Sequence, residues 1–199
     1  MIETNHVTVK EMNFDQLFKQ ISPEEIFENV FTLVGKLVGE DMVITAGKIN
    51  HYNSMTGSVT GLALLFKKPT TWCIFREDRY TLEIIQKEKT YTLSYFPNEY
   101  KKQVFFFGSK SGRDSEKMKE VELTSVQTPS GNMSFKEARV IIECKLTQIT
   151  IAKPNDFYTQ ETKELVDKAY KESNLYRKMV FGEITHVWEK RAQLGTVVF

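Results

Sequence analysis

The chain has 199 residues, 41% of them hydrophobic and 27% charged, and its 27 Lys and Arg against 26 Asp and Glu give a formal net charge of +1. That length fits one domain able to bury its own core, and the composition argues against disorder. The near-neutral balance excludes a broad electrostatic pull towards nucleic acid or an anionic membrane, so an anionic ligand has to be held by a local pocket.

The first six residues lack a basic start followed by an apolar stretch, so no secretory signal is expected. No apolar run has the length of a membrane span, and a cytoplasmic location is the expectation. Ser22-Pro23-Glu24-Glu25 reads as a helix start, with Ser as the cap and Pro at the first helical position. The β-rich run 42–47 predicts a strand. Runs 59–66 and 71–75 predict two more, separated by a turn at Lys67-Lys68-Pro69. Leu82, Ile85 and Gln86 lie at helical spacing within 80–87, and 90–96 is a β-branched, aromatic strand.

Asn98 is placed to cap a helix through Phe107 that Gly108 ends. A charged helix is expected over 113–121, a long strand over 139–151, helix within 153–176 and a last strand over 179–188. Strands dominate, without the regular alternation of a doubly wound parallel sheet, so an antiparallel barrel with helical insertions is expected. No repeat or linker divides the chain, and residues 1–199 are read as one domain. Cys73 and Cys144 sit in apolar runs without CxxC spacing and read as buried thiols. His6, His51 and His186 lack ligand spacing, so no metal site is expected.

Three polar stretches carry the chemistry. Asn53-Ser54-Met55-Thr56-Gly57-Ser58 brings hydroxyls, an amide and a glycine together, as a phosphate or a polyol chain requires, though the same residues also make plain turns. Arg76-Glu77-Asp78-Arg79-Tyr80-Thr81 sets two arginines ahead of a helix start, where guanidinium forks and free N–H groups suit a phosphate. A solvated ion-pair cluster with Glu77 and Asp78 fits that stretch equally. Gly108-Ser109-Lys110-Ser111-Gly112-Arg113-Asp114 resembles an anion nest and also reads as an interhelical loop. Neither a Walker A loop nor a GxGxxG dinucleotide fingerprint is present.

The order of these stretches resembles the flavoredoxin branch of the flavin reductase-like, FMN-binding split barrels. The resemblance is carried by Asn53 to Ser58, Pro69, Arg76 to Thr81, Leu93-Ser94-Tyr95-Phe96 and Gly108 to Lys117. Leu123-Thr124, Phe135-Lys136-Glu137-Ala138-Arg139 and Phe181-Gly182-Glu183-Ile184 add to it, so that it spans about 21–190. It implies a mainly β, antiparallel, Greek-key-like split barrel that forms a homodimer with FMN near the interface. It places Asn53, Ser54, Met55, Thr56, Ser58, Arg76, Arg79, Tyr80 and Thr81 around the phosphate and ribityl chain, with Lys110 and Ser111 completing the pocket. Tyr95 and Phe96 are read either as lining the flavin ring or as core. Two positions depart from the family pattern: Val59-Thr60 precede Gly61 where Trp-Gly is frequent, and Arg177 stands about where a histidine is frequent.

The function implied is an FMN-dependent oxidoreductase that takes electrons from NADH or NADPH and passes them to an acceptor, with no acid–base residue nominated. A non-catalytic FMN carrier reduced by a partner protein is the second reading. A flavin-free barrel binding another anion is the third.

Overall fold

The computed structural model describes residues 13–22, 41–58, 60–113 and 117–191. The helix expected after Ser22 lies outside them. A one-turn helix α1 (Phe14–Leu17) runs into strand β1 (Phe18–Ile21). Strands β2 (Met42–Lys48), β3 (His51–Gly57), β4 (Thr60–Leu65) and β5 (Lys68–Arg76) follow as consecutive antiparallel elements, β2 pairing β3 and β4 pairing β5. Helix α2 (Tyr80–Glu88), strand β6 (Thr90–Tyr95), a 3₁₀ turn (Asn98–Tyr100) and helix α3 (Lys101–Ser109) come next. The rest comprises helix α4 (Lys117–Glu120), the hairpin β7 (Ser125–Gln127) and β8 (Met133–Phe135), strand β9 (Val140–Ala152), helix α5 (Gln160–Ser173) and strand β10 (Arg177–Lys190).

The main sheet has the order β3-β2-β6-β9-β10-β5-β4, with β1 added to β10, and every described pairing is antiparallel. Strand β2 is buried along nearly its whole length because both its faces are covered. Met42, Ile44 and Ala46 join Phe75, Tyr91, Leu93, Ile142 and Val187 in the inner core. Val43 points the other way, into a second core with Phe14, Phe18, Phe96, Phe107, Phe135 and Trp188. Both thiols are buried and free, and burial pushes Cys73 up to about 11.

Several local expectations shift. The turn between β4 and β5 falls at Phe66-Lys67, both in the left-handed region, and Pro69 lies inside β5 opposite Leu64. Proline is tolerated there because the pairing of β10 with β5 reaches only to Thr70, leaving one side of Pro69 outside that ladder. The helix after Pro97 starts as a 3₁₀ turn rather than at an Asn98 cap, and it runs through Gly108 to Ser109. At Gly108 the helix passes close to β3: a Cβ there would stand 3.1 Å from Thr56 Oγ1. Of the charged helix expected over 113–121, Lys117 to Glu120 are helical, Arg113 and Val121 are not, and 114–116 lie outside the described residues. The stretch that also read as a turn, 53–58, is mostly strand β3.

A polar row crosses the outward side of this sheet. Ser54, Thr45, Thr92, Glu143 and His186 are successive register partners on β3, β2, β6, β9 and β10. The β7–β8 hairpin sits on that row: Thr92 Oγ1 donates to the Met133 carbonyl at 2.7 Å, and the Ser94 and Ser134 hydroxyls meet at 2.8 Å. Glu143 is 1% exposed and accepts at Oε1 from Thr128 Oγ1 and from the Asn132 side-chain amide. Asn132 in turn accepts from Lys48 Nζ and Thr90 Oγ1, each at 2.7 Å. The second carboxylate oxygen of Glu143 faces His186 Nδ1 at 3.2 Å.

Candidate functional site

Where β5 ends, the chain turns through 77–79 and starts α2, with Arg79 as the N-cap residue and no side-chain capping bond. A helix N-terminus carries partial positive charge on its free N–H groups. A cation is therefore the wrong charge for that position unless an anion joins it. The turn and the helix start open onto a cavity of about 90 Å³, lined by Asn53, Met55, Arg76, Asp78, Arg79, Tyr80, Thr81, Lys110, Ser111, Gly112, Arg113 and Lys117.

Strand β3 supplies one wall. Alternation sends Asn53 and Met55 to one face and Ser54 and Thr56 to the other. Asn53 is 4% exposed and donates from Nδ2 to Thr81 Oγ1 at 2.8 Å, which staples β3 to the start of α2. Ser54 instead bonds Thr45 at 2.8 Å, and Thr56 donates to the Val104 carbonyl. Ser58 lies past the strand end and is exposed. Phe96 packs against Tyr100 and Phe135, and it and Tyr95 are buried in the two cores. Of the twelve candidate residues, the fold thus gathers Asn53, Met55, Arg76, Arg79, Tyr80, Thr81, Lys110 and Ser111 around one cavity. It sets Ser54, Thr56, Ser58 and Phe96 elsewhere.

The loop 110–113 forms the opposite wall. Gly112 is required by a close approach: a Cβ there would stand 2.0 Å from Asn53 Oδ1, whose side chain is fixed by Thr81. Arg113 donates to the Asp78 carbonyl at 2.9 Å, pairs with Glu83 and lies over the Tyr80 ring at 5.1 Å. The Tyr80 hydroxyl meets His51 Nε2 at 3.0 Å. Lys110 pairs with Glu120 and lies over the Phe106 ring.

The cations differ in what already neutralises them. Arg76 grips Asp78 with two bonds, Nε to Oδ1 at 2.9 Å and Nη2 to Oδ2 at 2.8 Å, and those bonds hold the Asp78 carboxyl below its ordinary range. Arg79 has no side-chain hydrogen bond or ion pair with the described residues. Burial, and then the charge of Arg76, oppose its protonated form. Lys117 is 2% exposed, and its Nζ donates only to backbone among the described residues: the Phe107 carbonyl at 3.2 Å and the Lys110 carbonyl at 3.0 Å. Burial, and then Arg79, push its ammonium down to about 8. A phosphate set among these groups supplies the missing negative charge to both.

Four lining residues were not among the candidates: Asp78, Gly112, Arg113 and Lys117. Asp78, Gly112 and Arg113 fall inside polar stretches already singled out, and Lys117 ends the Gly108-to-Lys117 run that carries the resemblance.

The sequence profile of the flavin reductase like domain matches residues 35–199. No protein of curated function matches at a significant level. Among solved structures, the fold is similar to an FMN-binding domain of a flavin reductases-like enzyme from Shewanella baltica. That match has a TM-score of 0.62 and 13% identity over 86% of this chain and 76% of the other. A protein from Shewanella frigidimarina with a split barrel domain gives a TM-score of 0.61 at 17% identity, covering 90% of this chain and 80% of that one. The flavoredoxin of Desulfovibrio vulgaris (Miyazaki F) gives 0.56 at 18% identity, over 75% and 68%. The fold is a split barrel, as the motif order implied.

Proposed function

The chain belongs to the flavin reductase-like domain family, and on that premise we propose that it binds FMN with the phosphate in the cavity at the start of α2 and transfers electrons from NADH or NADPH to an acceptor. The observation that carries this reading is Arg79: a half-buried cation at a helix N-terminus, beside Arg76 and Lys117, without a carboxylate partner among the described residues. Asp78 offsets part of this charge from its grip on Arg76, and an entering phosphate offsets the rest.

The residues present fit the phosphate end of FMN. Arg79 and Lys117 supply charge, the first N–H groups of α2 supply donors, and Asn53 and Thr81 hold β3 and α2 together around them. Gly112 lets the loop backbone close over Asn53. Arg113, held by Glu83, the Asp78 carbonyl and the Tyr80 ring, fastens the loop to α2. The cavity, at about 90 Å³, is well under the ~300 Å³ of a typical whole-ligand pocket. It therefore takes the phosphate, and the ribityl chain and ring extend beyond it, in a homodimer with FMN near the subunit interface.

When bound, FMN supplies the redox chemistry, accepting a hydride from a nicotinamide and passing electrons on. The chain's part is binding, orientation and charge, and no side chain in the cavity is assigned a proton-transfer role. Anaerobic mixing of the FMN-loaded protein with NADH and with NADPH tests the reaction. Bleaching of the flavin absorbance by at least one donor is expected, and a flavin that neither donor bleaches contradicts the reductase reading.

A further inference from the structure

We propose that Arg177 anchors a second anion subsite adjoining the phosphate cavity, one that takes a phosphate group of the nicotinamide donor. This rests on the reading of the first cavity as an FMN phosphate site.

The start of β10 is laced to the turn that leads into α2: Glu77 N–H donates to the Tyr176 carbonyl at 3.2 Å, and Tyr176 N–H donates to Glu77 Oε1 at 3.1 Å. The next residue, Arg177, is the direct register partner of Arg76 on β5. Residues directly opposite in an antiparallel pair share a face, with Cβ atoms about 4.5–5.5 Å apart, and like charges so placed repel. The charge of Arg177 also reaches Arg79.

Asp78 is gripped by Arg76, and Glu77 is held by Tyr176 N–H at Oε1, with no ion pair to Arg177. Arg177 has no ion pair with the described residues, and it does not line the first cavity. A phosphate monoester brings roughly −1.5 to −2 charges, which Arg79 and Lys117 match. Arg177 stays half-buried on the same face as Arg76, without an ion pair among the described residues. A guanidinium in that setting calls for a second anion, and its planar fork suits a phosphate. In the proposed reaction the nicotinamide donor is the substrate that carries further phosphates.

The test uses FMN-saturated wild-type protein and Arg177→Gln, each titrated with NADP⁺ and with NAD⁺, which bind without turnover, while flavin fluorescence is followed. The expected result is NADP⁺ binding weakened at least about tenfold, the effect of one lost charge-assisted hydrogen bond. FMN affinity should stay within about twofold, since the phosphate keeps Arg79 and Lys117. Equal weakening of NAD⁺ assigns Arg177 to the pyrophosphate, and unaltered NAD⁺ binding assigns it to the 2′-phosphate; both support the subsite. Thermal stability of the ligand-free variant should be unchanged or raised, because a like-charge pair is relieved, whereas a purely structural arginine would lower it. Unaltered binding of both dinucleotides, or none by the wild type, overturns the proposal. So does a loss of FMN affinity as large as the loss of dinucleotide affinity. A wild-type protein that takes up no FMN overturns the reading of the first cavity as well, so the two failures are distinguishable.

Discussion

Replacing Arg79 with Ala is expected to weaken FMN binding by about 1.5–3 kcal/mol, roughly 10- to 150-fold, the range for a lost hydrogen bond to a charged group. The size follows from what Arg79 lacks. It has no ion pair or side-chain hydrogen bond with the described residues, only the more distant charge of Asp78, and it caps a helix end that already repels cations. Removing it takes a charge from the ligand and little from the ligand-free protein. Arg76→Ala is the contrasting case. Arg76 is bound at two points by Asp78, so its removal frees a carboxylate at the mouth of the cavity as well as deleting a cation. FMN titrations of both variants, followed by flavin fluorescence, measure the effect. An Arg79→Ala protein with wild-type FMN affinity removes that residue from the site.

Glu143→Ala is expected to destabilise the protein by about 1–3 kcal/mol, the cost of leaving buried hydrogen-bond donors without their acceptor. The carboxylate is 1% exposed, accepts at one oxygen from Thr128 and Asn132, and faces His186 with the other. Deleting it strands those groups beneath the β7–β8 hairpin and opens a void in the row that runs from Ser54 to His186. Glu143→Gln keeps an acceptor for Thr128 and Asn132, so its cost should be clearly smaller. Urea unfolding of both variants reads the difference. An alanine variant as stable as wild type would mean that the hairpin does not depend on this carboxylate.

The strands β2, β6, β9 and β10 and the helix α2 were legible because long β-branched and apolar runs and helical spacing state them directly. The β7 and β8 strands have three residues each, too short for alternation to register. They exist because Thr92 and Ser94 hold them, which is a tertiary cause. Helix α1 was not among the expected elements; Asn13 N–H donates to Gln16 Oε1 at 3.0 Å, and that N-x-x-Q spacing is the local signal that could have found it.

At the site, the three stretches were legible as a set, but a stretch is not a wall. Strand alternation in β3 sends Asn53 and Met55 to the cavity and turns Ser54 and Thr56 away, a split that a contiguous motif hides. Lys117 was hidden for a different reason: a lysine in a charged segment reads as a solvated side chain. The fold buries it against the carbonyls of Phe107 and Lys110.

The most direct test of the account is a paired titration of the purified, ligand-free protein with FMN and with riboflavin, which differ only in the phosphate. If the cations around α2 hold that phosphate, FMN binds at least about tenfold more tightly than riboflavin, one charge-assisted hydrogen bond or more. Equal affinity for the two, or binding of neither, would contradict it.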